Sequence, residues 1–100
     1  MQVIYHQQIK RDLRIALAFY DAEGGSKLGD RFFDEVESAV VKVTRNPQGF
    51  HFADDGLRRV ALNSFPYHFL FEEAESYVHF LVFRHDSRHP DHGLGRRRME

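Results

Sequence analysis

The feature that most limits what this chain can become is a change of period near Asn46-Pro47. Before it, apolar residues recur every three or four positions, and after Gly56 they alternate every second position. Ile9, Leu13, Ala16, Leu17 and Tyr20 share one face at helical spacing, with Lys10, Arg11, Asp12 and Arg14 elsewhere, the pattern of an amphipathic helix. Gly24-Gly25 ends it, because glycine takes the left-handed conformation that closes a helix, and Ser26 is a cap candidate for a second one. Leu28, Phe32, Val36, Val40 and Val43 form the second stripe, widened by Phe33 and Ala39, up to the stop at Asn46-Pro47. The spacing predicts two helices joined by a short glycine link: a helical hairpin.

Three strand-like runs follow a loop over 46–56: Leu57 to Asn63, Tyr67 to Glu72, and Tyr77 to His85. The links Asn63-Ser64-Phe65-Pro66 and Glu73-Ala74-Glu75-Ser76 are short enough for hairpins, which predicts an antiparallel meander. Phe80 to Phe83 are apolar at four successive positions, so the last strand is expected to be covered on both faces and to lie inside the sheet. Val3 and Tyr5 alternate within Gln2 to His6, which suits a short strand at the start. This order predicts a two-layer α+β fold: an N-terminal strand, a helical hairpin and a three-stranded antiparallel meander. At 100 residues the chain holds one domain, residues 1–100, with 89–100 as a basic C-terminal tail.

With no cysteine, neither a disulfide framework nor a thiolate metal site can hold the fold. Stability must come from buried apolar surface, and ten phenylalanines provide the bulk. The start of the chain shows no signal-peptide core, and no run approaches the roughly 20 apolar residues of a membrane span. A cytoplasmic protein with no membrane partner is therefore expected. The net charge of −1 conceals an asymmetry, since Asp30, Asp34, Glu35 and Glu37 come early and Arg84, Arg88, Arg96, Arg97 and Arg98 come late. His85, His89 and His92, with Asp86 and Asp91, are ligand types that zinc accepts, but Pro90 and Gly93 argue against a helix that would align them. No metal site is expected. The chain also lacks a phosphate-binding glycine loop and a serine or cysteine nucleophile motif, so no cofactor is expected.

Alternation along the strands assigns faces. With Val60, Leu62, Phe69 and Phe71 toward the helices, Arg59, Ala61, His68 and Leu70 fall on the side that carries no helix. Arg59 and His68 should lie close together there, either as a functional pair or as groups that keep an exposed sheet face soluble. An exposed face predicts that His68→Ala and Arg88→Ala leave stability within about 1 kcal/mol, against roughly 3–5 kcal/mol for Phe32→Ala in the second helix stripe.

Asp12-Leu13 in the first helix, Leu28-Gly29-Asp30-Arg31-Phe32 opening the second, Asn46-Pro47, Phe65-Pro66-Tyr67 and His85-x-x-Arg88-x-Pro90 together resemble the RelE/ParE superfamily of toxins from type II toxin–antitoxin systems. The resemblance covers nearly the whole chain and rests on order and spacing rather than on any one motif. It implies two possible activities. RelE-like members cut messenger RNA in the ribosomal A site, using two lysines on the strand after the helices, an arginine on the next strand, another after the last strand, and a tyrosine. Counting from Phe65-Pro66-Tyr67, those positions fall near Arg59 and Ala61, His68, and Arg88; no lysine follows Lys42 and no tyrosine follows Tyr77. The resemblance therefore implies Arg59, His68, His85 and Arg88 as catalytic candidates if the chain is a ribonuclease. It implies Arg58, Arg59, Arg84, Arg88, Arg96, Arg97 and Arg98 as a surface for a target or for phosphate. The missing lysines favour the ParE-like, plasmid-stabilisation branch, whose members poison DNA gyrase and are held by a cognate antitoxin. The alternative is a RelE-like endonuclease with ribosome and mRNA as partners, and the third is a non-toxic antitoxin-binding module.

Overall fold

The computed structural model describes residues 1–53, 56–88 and 92–94. Its elements are β1 (Gln2–Tyr5), α1 (Ile9–Arg45), a 3-10 turn (Pro47–Gly49), β2 (Arg58–Ala61), β3 (Tyr67–Glu73) and β4 (Tyr77–His85). The four strands form one sheet in the order β1-β4-β3-β2. The meander β2-β3-β4 is antiparallel, as the short links require, and β4 lies inside the sheet. β1 pairs parallel to β4, with Val3 opposite Val78, which the sequence pattern alone did not indicate.

The two helical stripes occupy α1 on either side of a single non-helical residue, Gly25, with φ 78° and ψ −176°. That backbone region is open essentially to glycine alone. The chain folds back there: the Tyr20 ring of the first arm meets the Phe32 ring of the second at 5.1 Å. A Cβ on Gly29 would collide with the Asp21 carboxylate and come within 3.3 Å of Leu17, so glycine also allows the arms to approach. The expected hairpin forms, with one residue as its turn. Gly25→Ala should lower the unfolding free energy by about 1–3 kcal/mol, read as a lower denaturant midpoint; an unchanged midpoint would show that the turn tolerates a side chain. Past Val43 the second arm ends as the Asn46 N–H donates to the Lys42 carbonyl, and Pro47 opens the 3-10 turn.

The main core lies between hairpin and sheet and gathers Phe32, Phe65, Phe69, Phe71, Phe80 and Phe83, with Val36, Val43 and Val60. Phe33, expected to widen the buried stripe, is instead exposed. One residue along a helix turns the side chain by about 100°, so Phe33 cannot share the sheet-facing side with Phe32.

The helix-free face of the sheet is not the solvated surface expected. Leu57, Leu70, Leu81 and Val82 are buried there as a second cluster, with Leu94 packed against it. A β-bulge adds Leu81 to it: the register steps from Leu70↔Val82 to Phe71↔Phe80, leaving Leu81 as the extra residue. Phe80 and Phe83 therefore join the main core while Leu81 and Val82 join the opposite one. All four positions of that run are covered, for this reason. The bulge also resets parity, so Arg84 emerges beside His68 on the helix-free face.

Candidate functional site

The site is assembled where the ends of β2, β3 and β4 meet. Ala61 stands opposite His68, and His68 opposite Arg84. Just past β4, the Asp86 N–H donates to the Pro66 carbonyl at 2.8 Å, which holds the aspartate against the β2-β3 hairpin. Its carboxylate lies 2.7 Å from His68 Nδ1 and 3.4 Å from an Arg59 Nη. On the other side of the imidazole, Arg84 Nε donates to His68 Nε2 at 3.0 Å, and Arg84 Nη1 donates to the His92 carbonyl at 3.0 Å. Arg59, Asp86, His68 and Arg84 thus form one continuous chain of polar contacts.

The protonation state follows from the partners. Arg84 can only donate, so His68 Nε2 must be an acceptor, and the single ring proton sits on Nδ1 facing Asp86. Burial pushes the His68 pKa below its usual value; the hydrogen bond to Asp86 opposes this, while the Arg59 and Arg84 charges add to the lowering. At neutral pH the ring is uncharged with both nitrogens engaged. His68 and Arg84 are buried, at 2% and 6% exposure, contrary to the expectation of a soluble outer face. The expectation that His68→Ala is nearly neutral for stability is corrected accordingly.

The structure joins Arg59 to His68 as expected and separates both from His85 and Arg88. His85 follows Arg84 and so faces the hairpin side, its ring edge-on to Tyr67 at 5.1 Å. His85 Nδ1 accepts the Ser87 N–H at 3.0 Å. Arg88 is exposed, and its charge is felt by Tyr67, whose pKa burial raises and Arg88 draws down. Arg58 is a structural tie: Nη1 donates to the Phe50 carbonyl at 2.7 Å, Nη2 pairs with Glu73 at 3.1 Å, and the guanidinium sits 4.1 Å from the Phe52 ring centroid. Arg96, Arg97 and Arg98 lie outside the described residues, as do His89 and Asp91. Among the described residues, no group of three or more metal-ligating side chains comes together, and no helix is long and apolar enough to cross a membrane. Asp86 is the member that sequence reasoning passed over except as a zinc ligand type.

A second concave feature lies between β1 and the hairpin. Tyr5, Leu13, Phe33, Val36, Val40 and Val41 line a groove of about 680 Å³. Tyr5, Phe33 and Val41 are each more than two-fifths exposed.

No protein-family model and no curated protein matches the sequence. Among solved structures, the chain is similar to a chain of the chromosomal ParDE TA system from P. aeruginosa, with a TM-score of 0.76 and 14% identity over 85% of this chain and 95% of that one. The chain has a ParE-like fold. At that identity the likeness concerns the arrangement of elements and not the side chains at the site. The ParE-like strand and hairpin order therefore stands on the structure, while the chemistry of Arg59, His68, Arg84 and Asp86 stands on its own geometry.

Proposed function

We propose that this protein is the growth-inhibiting toxin of a type II toxin–antitoxin pair, acting in the cytoplasm by binding DNA gyrase rather than by cutting RNA. The observation that carries the choice of target is the state of His68. A general base needs a free lone pair within reach of the proton it removes. His68 has none to offer, because Nε2 accepts from Arg84 and Nδ1 faces Asp86. Arg59, the other candidate on that face, already has the Asp86 carboxylate beside it. A network closed in this way holds a surface in shape; it does not move protons. Such a surface suits recognition of a macromolecular target. The fold likeness to a ParDE system supports the pairing with an antitoxin. The apolar groove beside the edge strand β1 supports a place for an antitoxin segment that folds as it binds.

Expression of this chain alone should slow bacterial growth, and co-expression of the small protein encoded beside it should restore growth. With purified components, cleaved DNA should accumulate in a gyrase assay while messenger RNA on ribosomes stays intact. Cleavage of A-site messenger RNA with gyrase unaffected would overturn the target, and a harmless, well-expressed chain would favour a non-toxic antitoxin-binding module.

A further inference from the structure

At the hairpin side of the sheet's open end, the first turns of α1 and the end of β4 enclose a groove of about 230 Å³. Its wall carries Arg11, Asp12, Tyr67, Phe83, His85 and Arg88. Arg84 also borders it, but that guanidinium is engaged by His68 and by the His92 carbonyl. We propose that this groove binds a phosphate group, with Arg11 and Arg88 as its clamp and the Tyr67 ring as a wall for the organic part of a phosphate ester.

Charge and availability point the same way. Arg58, Arg59 and Arg84 are each held by a carboxylate, a carbonyl or an imidazole. Arg11 and Arg88 are exposed, and among the described residues neither is paired with a carboxylate. Asp12 is the acid on the wall, so two available guanidiniums outweigh one carboxylate and the groove attracts an anion. Guanidinium forks match phosphate oxygens in geometry and hydrogen-bond them with charge assistance. Two further donors stand beside them. Tyr67 has its pKa raised by burial, and the hydroxyl stays protonated at neutral pH despite the pull of Arg88. His85 accepts at Nδ1, so its neutral form carries the proton on Nε2.

The size also fits. A water molecule's share of liquid volume is about 30 Å³, so the groove takes a phosphate with part of a sugar attached. The half-buried Tyr67 ring is held in place by stacking on the buried Phe83 at 5.2 Å and 6° between planes, giving the groove a rigid aromatic wall of the kind on which sugars and bases rest. Tyr67 and His85 alternate with His68 and Arg84 along their strands, so their side chains leave the sheet on the face opposite His68, with Arg84 bordering both the groove and the network. It stands whether or not gyrase is the target.

Titration calorimetry of the full chain with inorganic phosphate and, separately, with adenosine monophosphate tests the site. Saturable binding is expected, tighter for the nucleotide. Arg11→Ala and Arg88→Ala should each weaken it by about tenfold or more, the loss expected for one charge-assisted contact. Circular dichroism of each variant should match the parent. Changing Arg96, Arg97 and Arg98 together to alanine should leave the affinity unchanged. Equal affinity for both probes would support the phosphate clamp, with free phosphate as its ligand, and would overturn the aromatic wall for an ester. Failure of both probes to saturate the folded chain, or binding that survives the Arg11→Ala/Arg88→Ala double variant or vanishes with the tail arginines, would overturn the proposal.

Discussion

Phe32→Ala should lower the unfolding free energy by roughly 3–5 kcal/mol, the range for emptying a large aromatic from a packed core. Phe32 is 1% exposed and stands at the junction of hairpin and sheet. Its ring meets those of Tyr20, Phe65, Tyr67 and Phe83, at centroid distances between 5.1 and 6.0 Å. These partners come from the first helical arm, the β2-β3 link and two strands, so no single element can move in to fill the void. Phe33→Ala is the internal comparison, because the neighbouring ring is 46% exposed and opens onto the apolar groove. It should cost about 1 kcal/mol or less. Denaturant melts of the two variants should differ by several-fold in their loss; similar losses would show that the hairpin packs on a different face from the one described.

That comparison also marks how far the sequence could be read. The helical stripes, the stop at Asn46-Pro47, the bounds Tyr77–His85 of β4 and its inner position follow from local rules, because periodicity and turn chemistry act within a few residues. Phe32 and Phe33 are both apolar, and only the rotation between successive helical positions tells them apart. The pairing of β1 with β4 is a contact between distant segments, on which Gln2 to Tyr5 carries no local signal. The bulge at Leu81 is the main obstacle at the site. Strict alternation carries a correct face assignment from Val60 to Phe71, but one extra residue in β4 reverses the parity beyond it. Arg59 and His68 could thus be placed on one face from sequence. Arg84 and Asp86, which determine what His68 can do, could not, and neither could the burial of Leu57, Leu70, Leu81 and Val82 on that face.

His68→Ala should cost about 2–3 kcal/mol, because it strands the buried Arg84 Nε–H and empties a buried ring position rather than trimming an exposed ring. Arg84 loses the acceptor of its Nε–H within a buried site, and Asp86 loses its 2.7 Å contact. His68→Phe conserves ring volume but offers no acceptor, so it should not recover the loss. The wild-type protein should in addition lose stability on mild acidification. The folded state holds the His68 pKa below the ordinary imidazole value, so near pH 6 the unfolded chain binds more protons at this residue than the folded one. The stabilisation from a neutral His68 is complete above the unfolded-state pKa of about 6.5 and is lost as pH falls from there through the lowered folded-state value. Denaturant melts between pH 7.5 and pH 5 should show that decline, and His68→Phe should remove its share of it. A wild-type stability that rose through this interval, with the His68→Phe profile unchanged in slope, would mean that the ring is protonated in the folded protein. Arg84 Nε could not then be its donor partner, and the argument against His68 as a source or sink of protons would fail with it.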